Sequence, residues 1–385
     1  MFFNKPKNSG FTAEIRVRRC YGCGAILQDT DPNEVGFIPS EKLNSEEEML
    51  CERCYKLRHY SSYSKSPDFN VDYMTILSKA KETQSLAVYV INAFCLNGSF
   101  LEGIGKYLPD NVLVVINKRD CLPEKYSDEF IINQVKAKLA LENIKPKDII
   151  ITSAGASNTS NISNLMKKIS SLRNGKSVYF LGAYQVGKSS IINCLLMDYS
   201  NSTEKMITTS PYPGTTLDVI SIPLDENSYM YDTPGIYNKN SFVSFIEPEL
   251  VKYILPRNMV RPEMYQAKEG QSFVISNFFR LDFISGDKTD FTFYKSNDLS
   301  LLRCKVSRAE QMILSNCQAG NNDIKSKKIS SSADLQVTKL KVDNNLTNII
   351  RVSGLGFISF IGHGQEIEVY APKGVEVSIQ SDLKA

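Results

Sequence analysis

Two kinds of loop that must lie side by side on one parallel sheet occur in this chain in inverted order. Asn117-Lys118-Arg119-Asp120 closes the apolar run Val112–Ile116, and Ser153-Ala154 closes the run Ile149–Thr152. Only afterwards come Gly182-x4-Gly187-Lys188-Ser189 behind Val178–Leu181, then Pro213-Gly214-Thr215-Thr216, then Asp232-Thr233-Pro234-Gly235 behind Tyr229–Tyr231. With Leu86–Ile91, these buried-type runs alternate with helical patterns over Asp128–Glu142, over Ile162–Leu172 and from Gly187 onward. That alternation predicts an α/β domain with a mainly parallel sheet. Such sheets bind ligands beyond the carboxyl ends of their strands, where these loops fall.

The glycine-rich loop has the composition of a phosphate cradle. Glycines at 182 and 187 let the backbone curl until several N–H groups face one anion, with Gln185, Val186 and Ser190 completing the loop. Lys188 then reaches the β- and γ-phosphates, the Ser189 hydroxyl takes a place on Mg²⁺, and the following helix adds its positive end. Asp232 can hold the same Mg²⁺ through a water, Thr216 supplies a second hydroxyl ligand, and the Gly235 N–H can sense a γ-phosphate. At the other loop, the Asp120 carboxylate can accept from both N1–H and the exocyclic amine of guanine, a donor pair that adenine does not present. Asn117 holds the loop and the base edge, Lys118 covers the ring, and Ser153-Ala154 supports the base. The reading is therefore a GTP site whose reaction groups are Lys188, Thr216 and Gly235.

In an ordinary GTPase the phosphate loop comes first. Here the order is 4-5-1-2-3, a circular permutation, which is permissible because a domain's ends often lie close together. Asn174-Gly175 joins the last helix of the usual order to its first strand, and the new break falls just after Gly235. The loop that answers to γ-phosphate therefore runs through Ile236–Asn240 directly into whatever follows.

The flanks carry different chemistry. Cys20-x2-Cys23 and Cys51-x2-Cys54 supply four thiolates, which suit a closed, structural Zn²⁺ site; a redox dithiol is the alternative. Nine cysteines without a secretory signal argue for a reducing compartment, with the cytosol as the default. No apolar stretch approaches a membrane span. From about residue 241 the aromatic and β-branched segments Gln271–Phe283, Thr289–Tyr294, Ile349–Phe360 and Glu366–Tyr370 predict a β-rich domain, preceded by a helix at Glu247–Leu255. Gln318–Ala333 reads as a loop. The expected organisation is a basic tail (1–19), a zinc ribbon (20–62), a permuted G domain (68–240) and a β-rich domain (241–385). A net charge of +3 does not by itself argue a polyanion partner, but basic clusters at 1–19 and 303–341 leave RNA open.

With these residues in hand, the chain resembles the YqeH family of circularly permuted GTPases. The match rests on Cys20-Tyr-Gly-Cys23, Cys51-Glu-Arg-Cys54-Tyr-Lys-Leu-Arg-His-Tyr60, the permuted motifs, Tyr212-Pro-Gly-Thr-Thr-Leu-Asp218, Ser353-Gly-Leu-Gly356 and Ala371-Pro-Lys-Gly374. The resemblance implies an assembly factor for the small ribosomal subunit or its rRNA in the bacterial cytoplasm or an organelle, with a C-terminal domain similar to RNA-binding β-folds; the chain is expected to be monomeric when free and not membrane-bound. It also implies a hydrophobic residue, Ile236, where Ras-like enzymes keep a catalytic glutamine, and hence slow turnover. Gln185 stands where the family has an asparagine that helps hold an activating K⁺. Asn92 and Cys95 stand where it has aspartates. Two other readings remain open: a hydrolysis-deficient RNA scaffold, and a metabolic or signalling NTPase without RNA.

Overall fold

The computed structural model describes residues 26–32, 36–43, 51–52, 71–155, 159–199, 208–211, 218–318, 324–342 and 345–381. The chain divides into two compact units, residues 1–64 and 65–385. In the first, Gln28 and Phe37 form a bridge, the Glu52 N–H donates to the Phe37 carbonyl (2.8 Å), and Leu27, Ile38 and Cys51 are buried. Cys20, Cys23 and Cys54 lie outside the described residues, as does the basic tail.

The second unit opens with a helix, α1 (Val71–Glu82), and then builds the sheet that the apolar runs predict. Its strands are β1 (Leu86–Asn92), β2 (Val112–Asn117), β3 (Asp148–Ile151), β4 (Val178–Gly182), β5 (Thr208–Pro211), β6 (Asp218–Pro223) and β7 (Tyr229–Asp232), in the order β3-β2-β1-β4-β7-β6-β5. The five from β3 to β7 are parallel, while β6 and β5 run antiparallel at one edge. Helices α2 (Asp128–Leu141), α3 (Ile162–Arg173) and α4 (Lys188–Tyr199) connect them. β1, β2 and β4 are buried along their whole length, which is why they read as unbroken apolar runs rather than alternating ones.

The topology displays the permutation directly. β4, which carries the phosphate loop, lies at the centre of the sheet although three of its strands precede it in the chain. A tight left-handed turn at Asn174 (φ 48) and Gly175 (φ 75) leads from α3 back to it. The register places Asn92 opposite Asn117, Val90 opposite Gly182 and Phe180 opposite Asp232. The carboxyl ends that bear the loops thus share one edge of the sheet, with Gly182 set back two residues from Asn117 and Asp232 two further residues from Gly182.

Beyond residue 240 the predicted helix is two short turns, Pro248–Leu250 and Val251–Ile254, followed by two five-stranded antiparallel sheets. One has the order β8 (Glu263–Ala267), β11 (Thr289–Tyr294), β15 (Gly356–Ile361), β14 (Thr347–Val352), β17 (Val377–Gln380). The other has β12 (Leu302–Lys305), β9 (Gln271–Ile275), β10 (Phe279–Ser285), β16 (Glu366–Pro372), β13 (Leu335–Lys341). Phe273 of the second sheet meets Phe291 and Phe293 of the first with ring centroids 5.9 and 5.1 Å apart, so the two sheets share an aromatic core. Gln271–Phe283 is therefore a hairpin and not one strand. Its turn hangs on Asn277, whose amide donates to the Ser326 and Ile329 carbonyls. The basic stretch 303–341 contains a further helix, α5 (Val306–Gln318), and part of its charge is engaged locally: Lys339 pairs with Glu368 at 3.1 Å. No helix among the described residues is long and apolar enough to cross a membrane.

The β-rich domain is joined to the sheet domain by backbone. The Phe242 N–H donates to the Ser353 carbonyl (2.7 Å), and the Glu376 N–H to the Asn240 carbonyl (2.9 Å). Gly354 makes this approach possible: its φ is +81, and a Cβ there would lie 2.3 Å from Ser241 Oγ and 2.9 Å from the Phe242 nitrogen. Gly354→Ala should therefore lower stability by about 1–3 kcal/mol, the usual cost of overpacking a fixed contact. A urea midpoint equal to that of the unaltered protein would show that the junction yields freely.

Candidate active site

One side-chain amide ties three loops together. Asn117, buried at the end of β2, donates from Nδ2 to the Val186 carbonyl (3.1 Å) of the phosphate loop. Its Oδ1 accepts from the Ala154 N–H (3.1 Å) and from Thr152 Oγ1 (3.4 Å). A buried hydrogen bond contributes about 1 kcal/mol net, but stranding its partner costs about 1–3 kcal/mol. Removing Asn117 would strand partners in two loops at once.

The base loop turns sharply at Lys118 (φ 63). The Asp120 N–H then donates to Ser153 Oγ (3.2 Å), and the Arg119 N–H to the Thr152 carbonyl (3.2 Å). Asp120 and Ser153 are thus adjacent, as a loop and its supporting partner need to be. Sequence reading assigned Arg119 no role, yet its guanidinium closes the loop on itself. It donates to Asp128 Oδ1 (2.6 Å) and to the carbonyls of Leu122 (3.0 Å) and Tyr126 (2.7 Å).

In the phosphate loop Gln185 takes a left-handed φ of 65, turning the chain between Tyr184 and the buried Val186. Lys188 is buried at the start of α4, with Nζ donating to the carbonyls of Gly182 (3.1 Å) and Ala183 (3.3 Å). Burial lowers its pKa from 10.5 to about 8, and the nearby Asp232 carboxylate opposes that shift. Ser189 Oγ donates to Asp232 Oδ2 at 2.6 Å, while Ser190 is exposed one position further on. A hydroxyl and a carboxylate converging from α4 and β7 are hard oxygen donors, and their chemistry fits Mg²⁺. Thr216, the expected second hydroxyl, lies outside the described residues.

The segment after Asp232 is fastened to the phosphate loop. The Ile236 N–H donates to the Gly182 carbonyl (3.2 Å), the Tyr184 N–H to the Ile236 carbonyl (2.8 Å), and the rings of Tyr184 and Tyr237 stack at 4.7 Å. Gly235 is the point of closest approach: a Cβ there would stand 2.8 Å from the Tyr184 Cα and 3.2 Å from Lys188 Nζ. The Ile236 side chain packs against the core. A second support escaped sequence reading because a lone tyrosine on a helix gives no motif. Thr233 Oγ1 donates to the Phe180 carbonyl (2.6 Å), so the Tyr73 hydroxyl of α1, 2.9 Å away, is the donor to Thr233. Burial raises the Tyr73 phenol far above its usual pKa, which keeps that donor protonated.

The departures at 92 and 95 are accommodated locally. Asn92 Oδ1 accepts from the N–H groups of Phe94 (3.0 Å) and Cys95 (3.4 Å), and burial pushes the Cys95 thiol up to about 12. Of the four candidate zinc ligands only Cys51 is described. The described residues hold no group of three or more His, Cys, Asp or Glu that could bind a metal.

Comparison with known proteins agrees with the geometry. The family model described as "50S ribosome-binding GTPase" matches residues 177–275, beginning at the phosphate-loop strand and leaving the base loops at 117–154 upstream of the match. The model described as "YqeH-like, C-terminal" matches residues 288–383. The chain is 32% identical to the protein YqeH of Bacillus subtilis over 365 residues, covering 94% of this chain and 98% of that one. It is 25% identical to the "NO-associated protein 1, chloroplastic/mitochondrial" of Arabidopsis thaliana, over 96% of this chain and 77% of the relative. A shorter match, 36% identity over 145 residues, joins 34% of this chain to 30% of the GTPase Der of Aquifex aeolicus. These relationships show a GTP-hydrolysing domain.

The buried lysine gives a pH signature. Below about pH 8 Lys188 is protonated in folded and unfolded chains alike; between about 8 and 10.5 only the unfolded chain keeps the proton. Stability of the nucleotide-free protein should therefore rise through that window. Phosphates hold the ammonium charged, so binding in the same window must take up a proton. Calorimetric titration with GDP at about pH 9, in two buffers of different ionisation enthalpy, should show close to one proton taken up, falling to near zero at pH 7. Lys188→Met should remove the pH 9 uptake; uptake that persists in this variant would assign it to another group.

Proposed function

The chain belongs to the YqeH family of GTPases, and from that footing we propose that it is a slowly turning-over assembly factor whose nucleotide state governs its attachment to the small ribosomal subunit. Asp120 selects guanine, Lys188 and the phosphate-loop backbone hold the phosphates, and Ser189, Asp232 and Thr216 hold Mg²⁺. Ile236 offers no amide to orient an attacking water, and phosphoryl transfer depends mainly on positioning and charge, so turnover is slow without the particle.

The observation that carries this reading is the short path from Gly235 to the β-rich domain. Gly235 rests against the phosphate loop, and three residues later Asn238 Nδ2 donates to the carbonyls of Asn97 (3.3 Å), Gly98 (3.2 Å) and Phe100 (2.8 Å). Asn240 and Phe242 then bond to Glu376 and Ser353 of the β-rich domain. A γ-phosphate that draws on the Gly235 N–H acts on the same segment, and a segment with two arrangements is what a loop-ordering switch requires.

Family membership supports the ribosomal partner, and the description attached to residues 177–275 names a large-subunit-binding group. The large subunit is accordingly the second reading. The cytoplasm of a bacterium is the proposed setting, and a plant relative's name places that protein in organelles. Cys20, Cys23, Cys51 and Cys54 are proposed as a structural zinc site, because four soft thiolates suit that ion. Elemental analysis should find one zinc per chain, and a zinc-free preparation with an equally protease-resistant N-terminal unit would remove the proposal.

Pelleting with isolated small and large subunits in GTP, GDP and no nucleotide tests the function. Binding to small subunits should be roughly tenfold tighter in GTP than in GDP, about 1.4 kcal/mol, since equal affinities would shift nothing. Equal pelleting in both nucleotides would refute the switch. Preference for large subunits would establish the second reading. Turnover that stays absent with either particle would mark an RNA-binding scaffold.

A further inference from the structure

The β-rich domain touches the site at a second place, behind the base loop. Cys121, the residue after Asp120, accepts through its carbonyl from the Val260 N–H (3.0 Å), and its thiol donates to the Pro256 carbonyl (3.4 Å). Five residues on, the buried Tyr126 ring meets Tyr294 edge-on at 5.5 Å and Phe357 edge-on at 5.6 Å, both on the face of the β8–β17 sheet. Those two rings stack on each other at 4.4 Å, and Lys125 Nζ lies 4.9 Å from the Tyr294 centroid. The Arg119 guanidinium donates to the Tyr126 carbonyl, so Asp120 sits in a closed ring of chain whose far end is held by the β-rich domain.

We propose that the β-rich domain is part of the guanine site, with Tyr126, gripped by Tyr294 and Phe357, acting together with Arg119 as positioning residues for Asp120. A carboxylate that must accept two hydrogen bonds from one base edge binds best when its loop is already in place, because ordering the loop on binding costs affinity. Docking of the β-rich domain supplies that order in advance. The coupling is reciprocal: what docking does for guanine, guanine does for docking. This route differs from the one through Gly235. GTP and GDP carry the same base, so the base loop distinguishes the occupied from the empty protein, where Gly235 distinguishes triphosphate from diphosphate. The state that loosens the β-rich domain at this contact is the nucleotide-free one.

The inference rests on reading Asp120 as the guanine acceptor. Asp120→Asn tests that reading separately, since it should move affinity from guanosine to xanthosine diphosphate whether or not the domains are coupled. In the full chain, Phe357→Ala should weaken GDP and GTP by the same factor, about three- to tenfold, the size of one or two aromatic contacts. The preference for GDP over inosine diphosphate, which lacks the exocyclic amine, should shrink as well. A merely structural loss would lower the fraction of active protein and leave that preference unchanged. Hydrogen exchange on the unaltered protein decides the matter even if Phe357→Ala fails to fold. Saturating GDP should slow exchange in residues 119–126 and in the 347–361 hairpin together. GDP that protects 182–189 but leaves the hairpin at its nucleotide-free rate, or a Phe357→Ala protein with wild-type affinity and preference, would overturn the proposal.

Discussion

The site depends on the amide of Asn117 more than on any charged group in it. Parallel strands bring their carboxyl ends to one edge of the sheet, but a shared edge does not fix the loops that leave it. Asn117 does, by donating to the Val186 carbonyl and accepting from the Ala154 N–H. An amide is suited to this because it carries donor and acceptor on one rigid plane; an aspartate would face the Val186 carbonyl with a second acceptor. The bonds are buried, so they compete little with water, and losing either would leave a backbone group without its partner in a region of low dielectric. The candidate phosphate loop and the candidate base loop are thereby made one object. Arg119 and Tyr73 extend the same logic outward, one closing the base loop and the other bracing Thr233 from α1.

That arrangement is what the permutation preserves. Cutting the chain after Gly235 and joining α3 to β4 through Asn174-Gly175 moves no strand in the sheet. It changes only which loop continues into another domain. In this chain that loop is the one fastened to the phosphate loop by Ile236, so backbone and not a side-chain contact carries the sequence from the phosphate site to Asn240 and Phe242. A backbone path is stiff. Gly235 and Gly354, at its two ends, are each too crowded for a Cβ.

Most of the sheet domain was legible in the sequence, for a physical reason. Strands buried on both faces, such as the run Val112–Ile116, must be apolar throughout, and their loops must carry the residues that meet the ligand. The pattern and the motif therefore confirm each other. The β-rich domain was less legible. The hairpin turn at Ser276–Phe278 has no glycine or proline; Ser276 adopts a φ of 51, and the turn is fixed by Asn277 bonding to residues about fifty positions away. Helix α5 was concealed inside a stretch remarkable only for its charge. Arg119 and Tyr73 were missed because each acts through backbone or hydroxyl partners distant in sequence, which no local spacing reveals. Thr216 and three of the four candidate zinc cysteines fall outside the described residues, so their roles stand as the sequence proposes them.

The two attachments of the β-rich domain have different consequences. Through Ile236–Phe242 it is joined to the part of the site that a γ-phosphate would touch, and through Cys121 and Tyr126 to the part that a guanine base would touch. An ordinary chain order would make the first attachment hard to achieve, because the metal loop would run on into the interior of its own domain. The second owes nothing to chain order; it exists because the β8–β17 sheet presents Tyr294 and Phe357 to the ends of the parallel strands. Together they place one aromatic-cored domain against two loops that a single nucleotide would span. A ligand that bridges both loops should then hold that domain more firmly than either contact alone, since fixing one loop reduces the entropy still to be lost in fixing the other.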